Sequence, residues 1–144
     1  MTTATQKHIP VLLGAVLEAL GDIQGKIVVD CTFGAGGYSR AFLERGANVI
    51  AFDRDPNVVG DADALRAEFG ERFRFVPQPF SNIGALESPV DAIVFDLGIS
   101  SMQIDVAERG FSFRADAPLD MRMDNRENEQ RAKSKEQINS PLCA

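Results

Sequence analysis

Asp30-Cys31-Thr32-Phe33-Gly34-Ala35-Gly36-Gly37, followed sixteen residues later by Asp53, is the stretch that decides the fold. An apolar run, Ile27-Val28-Val29, leads into the glycines, and a helix-like run from Arg40 to Arg45 leaves them. A second apolar run, Val49-Ile50-Ala51-Phe52, ends at Asp53. Strand, glycine turn, helix and second strand ending in an acid is the layout of a nucleotide-binding βαβ unit. The glycines let the backbone turn tightly and approach a ligand. The acid closes the second strand within reach of a ribose. From Gly34 to Asp53 is nineteen residues, close to the spacing of about 20 that a ribose-binding acid takes in such units. The chain therefore reads as one that handles a nucleoside-containing ligand.

Working outward, the same alternation continues. Pro10 to Leu20 carries a helical stripe of Leu12, Leu13, Val16, Leu17 and Leu20, with Gly21 as its C-cap. Strand one is set at Lys26 to Asp30, a helix begins near Tyr38, and strand two runs from Asn48 to Asp53. Asp55 is placed as an N-cap with Pro56 at the first helical position, where no N–H is needed. Val58, Ala62, Leu65 and Phe69 share a face of the helix that follows, and Gly70 ends it. Strand three is Arg72 to Val76, Ser81 caps a short helical turn, and Val90 to Leu97 is a fourth strand. Strands alternating with helices give βαβ crossovers and a parallel sheet, an α/β fold.

Composition narrows the class. The 144 residues are 44% hydrophobic and 25% charged, enough for one sizeable core. No stretch approaches the length of about 18 apolar residues that a membrane span needs. Residues 1–7 lack a hydrophobic signal core, and two cysteines, Cys31 and Cys143, suit a reducing cytosol better than a disulfide framework. A cytoplasmic protein is expected. Net charge is −6, with −7 carried by residues 1–124 and +1 by residues 125–144. An acidic domain gains little from a phosphate backbone, so a nucleic-acid partner needs a local basic patch. Arg109, Arg114, Arg122 and Arg126 supply one, unless they are simply solvated loop charges. The polar residues 125–144 cannot bury enough apolar area to offset the entropy of ordering them. The expected organisation is a domain over 1–124 and a disordered tail over 125–144.

The glycine loop discriminates between ligands. The dinucleotide pattern G-x-G-x-x-G fails at Ser39. The S-adenosylmethionine pattern D-x-G-x-G-x-G fits better, with Asp30, Thr32 in place of the first glycine, then Gly34 and Gly36. That ligand carries no phosphate. Loop amides and the helix N-terminus suit its carboxylate, and Asp53 suits both ribose hydroxyls. The competing reading is a purely structural turn. Phe80 is placed either against an adenine ring or in the core. Asp96, ending strand four at the sheet edge where α/β ligands collect, is either a functional acid or a capping carboxylate.

Six runs in order resemble the bacterial ribosomal RNA small-subunit methyltransferase H family, also called MraW. They are His8-Ile9-Pro10-Val11-Leu12, Thr32-Phe33-Gly34-Ala35-Gly36-Gly37, Asp53-Arg54-Asp55-Pro56, Asp96-Leu97-Gly98-Ile99-Ser100-Ser101, Glu108 to Arg114, and Pro118 to Asp124. The resemblance implies a Rossmann-like class I S-adenosylmethionine-dependent methyltransferase fold with a partial parallel sheet of order 3-2-1-4. It implies methylation of the exocyclic amino group of a cytosine in small-subunit ribosomal RNA. Cofactor contacts then fall on Gly36, Gly37, Tyr38, Asp53, Phe80, Asp96 and Gln103. Tyr38 stands where the family usually has histidine, which puts a side-chain role there in doubt. Asp96 is the first choice as acceptor for the amine protons and Asp120 the second. No Cys/His cluster is present to hold a metal, and the oligomeric state is not readable. From Asn125 onward the sequence departs from the family, so the chain reads as an N-terminal portion whose own activity is open. A non-catalytic S-adenosylmethionine-binding module and, less favoured, a dinucleotide enzyme are the alternatives.

Overall fold

The computed structural model describes residues 10, 12–98, 105, 107–111 and 123. The chain divides into two compact units, residues 1–102 and 103–144.

In the first unit the elements are α1 (Leu13–Leu20), β1 (Ile27–Asp30), α2 (Gly37–Glu44), β2 (Asn48–Phe52), α3 (Val59–Phe69), β3 (Phe73–Val76) and β4 (Ala92–Val94). Short 3-10 turns precede and follow α3, and another spans Phe80–Ala85. The four strands form one sheet in the order β3-β2-β1-β4, all parallel. This is the expected order. Register pairs Asp30 with both Ala51 and Val94, and Phe52 with Val76. All four strands therefore end at the same edge, and the segments after them emerge side by side.

Each helix is bounded by the chemistry of its ends. The Gly21 amide donates to the carbonyls of Leu17 and Glu18 and closes α1. Asp55 accepts from the Asn57 amide at 3.0 Å, capping the turn at Pro56 that runs into α3. Substituting such a cap by alanine costs about 1 kcal/mol. Val58, Ala62 and Leu65 are buried on the face expected of them.

One sheet face, with Val28, Val49, Ala51 and Phe73, packs under Leu17, Tyr38, Phe42, Leu43 and Leu65. Phe42 is fully buried, and truncating it to alanine would cost about 3–5 kcal/mol. The opposite face is thinner: Val29, Cys31 and Phe52 pack against partly buried Ile50, Val76, Ile83, Leu86 and Val90.

Several boundaries differ from the sequence reading, and β1, β2 and β3 are each one residue shorter. Helix α1 starts at Leu13 rather than Pro10, with the Leu13 amide on the Pro10 carbonyl at 3.2 Å. The turn assigned to a Ser81 cap begins at Phe80, preceded by Pro79 and without a side-chain cap. Strand four is three residues long, not Val90 to Leu97. Side chains take over its ladder at both ends: the Ile27 amide donates to Asp91 Oδ2 at 2.7 Å, and the Asp96 amide donates to Thr32 Oγ1 at 2.8 Å. Among the described residues no helix is long and apolar enough to cross a membrane.

Candidate cofactor site

The loop after β1 takes its shape from Phe33. Its ring packs at 5.8 Å from Phe73 and 5.3 Å from Phe75, pinning the loop to the sheet. Gly36 then crosses over that ring with φ +79°, and a Cβ there would lie 2.9 Å from Phe33 Cζ and 3.2 Å from Leu65 Cδ1. Both the backbone angle and the space demand glycine. Helix α2 starts at the next residue, one position earlier than expected. The first amides of any α-helix, here those of Gly37 and Tyr38 among them, lack intrahelical acceptors and favour a negative group. The Tyr38 ring is buried against Phe42 at 6.0 Å, so its position contributes backbone to the loop and side chain to the core.

Asp53 stands at the end of β2. Its Oδ2 accepts the Gly34 amide at 2.8 Å and its Oδ1 accepts the Asp55 amide at 2.9 Å. The carboxylate thus joins the glycine loop to the start of the α3 region. An ionised carboxylate has about four acceptor positions, so one on each oxygen remains for a ligand.

Asp30, at the end of β1, is fully buried. Ser39 Oγ donates to its Oδ2 at 2.7 Å and the Thr32 amide to its Oδ1 at 3.2 Å. Burial raises its pKa to about 6, against the lowering effect of these two hydrogen bonds, and the charges of Asp53 and Asp96 add to the rise. Ser39 entered the sequence reading only as the residue that spoils a dinucleotide pattern. Its role as the hydroxyl that ties α2 to β1 was missed; a serine nine residues after a strand-ending aspartate was the available signal.

Asp96 follows β4 and is exposed at the same sheet edge. Phe80 is 40% exposed and meets Phe95 edge-on at 5.3 Å, so it belongs to the surface of this edge and not to the core. Glycine loop, Asp53, Phe80 and Asp96 all follow the carboxyl ends of adjacent strands. Gln103 and Asp120 lie outside the described residues. Cys31 is buried and its thiol is pushed up to about 11, first by burial and then by the Asp30 charge. It is no thiolate nucleophile. Among the described residues no group of three His, Cys, Asp or Glu side chains forms a metal-holding cluster.

In the second unit, Arg109 closes a 3-10 turn (Ala107–Arg109) and is buried. Its Nη2 donates to the Met123 carbonyl at 2.8 Å and its guanidinium lies 5.8 Å from the Phe111 ring. That corrects its assignment to a solvated or phosphate-facing patch, because its charge is used inside the unit. Arg114, Arg122 and Arg126 lie outside the described residues.

Among solved structures, the chain is similar to a putative rRNA methylase from Clostridium thermocellum, with TM-score 0.54 and 24% identity over 64% of this chain and 54% of that one. It is equally similar in fold to a putative methyltransferase from Streptococcus mutans in complex with SAH, with TM-score 0.54 and 20% identity over 65% and 56% of the two chains. These likenesses show the Rossmann-like fold. In sequence, it is 55% identical over 117 residues to the ribosomal RNA small subunit methyltransferase H of Mesorhizobium japonicum, covering 81% of this chain and 35% of that protein. The protein of the same name from Zymomonas mobilis is 57% identical over 122 residues, covering 81% and 37%. The chain thus spans a little over a third of the length of these curated relatives. The MraW methylase family matches residues 5–140. With nearly its whole length matched and its glycine loop, Asp53 and Asp96 at one sheet edge, this chain belongs to the MraW methylase family.

Proposed function

We propose that the chain binds S-adenosylmethionine at the carboxyl edge of its sheet and serves methylation of small-subunit ribosomal RNA, at the exocyclic amino group of a cytosine. The observation that carries the cofactor reading is Asp53, which holds the glycine loop and keeps one acceptor position open on each oxygen. Two ribose hydroxyls match two such positions. The α2 N-terminus at Gly36, Gly37 and Tyr38 suits the methionine carboxylate, and half-exposed Phe80 suits the adenine face. The described residues fit the cofactor.

When bound, the cofactor supplies a methyl group on a sulfonium, open to in-line attack. The chain's part is positioning and electrostatics. A cytosine amine is a weak nucleophile because its lone pair is delocalised into the ring, so acceptors on its N–H groups raise its reactivity. Asp96 and the backbone after it are assigned that role, with Asp120 second; Gln103 is assigned to the cofactor. The target base must leave its stack to reach this edge. Residues 1–124 are assigned to the methyltransferase domain and 125–144 to a separate tail. A second reading is a cofactor-binding module without catalysis, since Asp53 and the glycine loop, which carry the proposal, speak to binding and not to transfer.

Calorimetry with S-adenosylmethionine, S-adenosylhomocysteine and NAD tests the first step: binding of the first two and not the third is expected. Labelled methyl transfer to undermethylated small ribosomal subunits then separates the two readings. Transfer to one cytosine, abolished by Asp96→Ala, supports the enzyme; binding without transfer supports the module. Binding of NAD alone would sink both.

A further inference from the structure

We propose that Thr32 is a positioning residue of this site: its hydroxyl ties the backbone at Asp96 to the glycine loop, so that the segments after β1 and β4 hold the ligand as one piece. The inference rests on the cofactor reading above. Thr32 Oγ1 accepts the Asp96 amide at 2.8 Å across 64 residues of sequence. The last backbone bond between these segments is one step earlier, from the Cys31 amide to the Val94 carbonyl at 2.9 Å. Beyond it Phe95, Asp96 and Leu97 are all exposed, so the threonine hydroxyl extends the tie past the end of a three-residue strand.

Thr32 is itself anchored. Its amide donates to Asp30 Oδ1 at 3.2 Å, and the other oxygen of Asp30 accepts from Ser39 in α2 at 2.7 Å. A continuous chain of hydrogen bonds therefore runs from α2 through Asp30 and Thr32 to Asp96. The glycine of the general pattern has no hydroxyl and would leave that chain open at its last link. Threonine at this position exchanges the freedom of a glycine for an acceptor aimed at the segment that carries the reactive acid.

Three proteins test this: the wild-type chain, Thr32→Val, which keeps the shape and loses the acceptor, and Thr32→Ser, which keeps the acceptor. Amide hydrogen exchange is read at Asp96 and Gly34, and S-adenosylhomocysteine binding is read by calorimetry. Thr32→Val is expected to speed exchange at Asp96 and leave Gly34 unchanged. Affinity for S-adenosylhomocysteine should weaken by about 3- to 10-fold, the worth of one ordinary hydrogen bond. Thr32→Ser should match wild type in both readouts. Unchanged Asp96 exchange in Thr32→Val overturns the tie. Lost Asp96 protection with unchanged affinity overturns its positioning role, and so does Thr32→Ser behaving like Thr32→Val. A wild-type chain that binds no S-adenosylhomocysteine overturns the cofactor reading, while the exchange comparison still decides whether Thr32 holds Asp96.

Discussion

Asp53 Oδ2 accepts the Gly34 amide at 2.8 Å, bridging the end of β2 and the glycine loop nineteen residues upstream. The acid that would hold a ribose is therefore also the strut of the loop that would hold the rest of the ligand. Its other oxygen fixes the Asp55 amide at 2.9 Å, and Asp55 in turn caps the segment entering α3. One carboxylate organises three pieces of backbone at the sheet edge.

Asp53→Ala should consequently do two things at once. Loss of a charged acceptor is worth about 1.5–3 kcal/mol of ligand affinity, and two backbone amides lose their partner. Calorimetry with S-adenosylhomocysteine should show affinity falling by about 10- to 150-fold, as that energy range implies. Denaturant unfolding should show a parallel loss of stability. Asp53→Asn, with one acceptor oxygen in place of two, should fall between. Equal affinity in wild type and Asp53→Ala would remove Asp53 from the site.

Gly36→Ala should be destabilising by about 2–4 kcal/mol, combining left-handed strain with overpacking against Phe33 and Leu65. The clash is with side chains that pin the loop, so relief requires moving the loop itself. Gly14→Ala is the control. Its Cβ meets nothing within 4 Å and it sits inside α1, so it should stabilise by about 0.5–1 kcal/mol. Chemical denaturation of both variants reads the contrast, and a neutral Gly36→Ala would mean the loop adopts another path.

Much of this architecture is legible in the sequence. Alternation of Ile27 to Val29, Val49 to Phe52 and Arg72 to Val76 with caps at Gly21, Asp55 and Gly70 pointed to a parallel α/β sheet, because each signal is local, whereas the order 3-2-1-4 came from the family resemblance. The end of β4 was not legible. Whether Phe95 and Asp96 continue a strand depends on a partner 64 residues away in sequence, and Thr32 supplies a side-chain acceptor there instead of a neighbouring strand. The Ser39–Asp30 pair was hidden for a similar reason: its bond is sequence-local, but its burial comes from the tertiary fold. Arg109 misled because a charged residue in an irregular segment looks solvated until its carbonyl partner, Met123, is seen.

Exposed apolar surface at the β4 edge should make the chain self-associate. Ile93 is 47% and Phe95 49% exposed, and Leu97 is 72% exposed. β4 pairs with β1 alone among the described strands, and an unpaired apolar edge is a template for another chain. Sedimentation velocity should show association rising with concentration, and Phe95→Lys should reduce it. A wild-type chain that stays monomeric across that range would show the edge to be covered.

Asp30 should make the protein less stable as pH rises through the mildly acidic range. Its carboxyl has a native pKa of about 6 against an ordinary value of 3.8, chiefly through burial. Between those values the native state holds a proton that the unfolded chain has released. Stability therefore falls with increasing pH across this window, and the benefit of the protonated form is complete below the unfolded value and gone above about pH 6. A shift of this size corresponds to on the order of 3 kcal/mol. Asp30→Asn removes the titration while its amide still serves both neighbours: the oxygen accepts from the Thr32 amide and the NH2 donates to Ser39 Oγ. Urea unfolding of wild type and Asp30→Asn at pH 5 and pH 7.5 measures the effect. The variant should gain stability relative to wild type at the higher pH, and the gap should narrow at the lower. A gap that stays constant with pH would show that Asp30 keeps the same protonation state in the folded and unfolded chain, and that its burial is offset by the Ser39 and Thr32 hydrogen bonds.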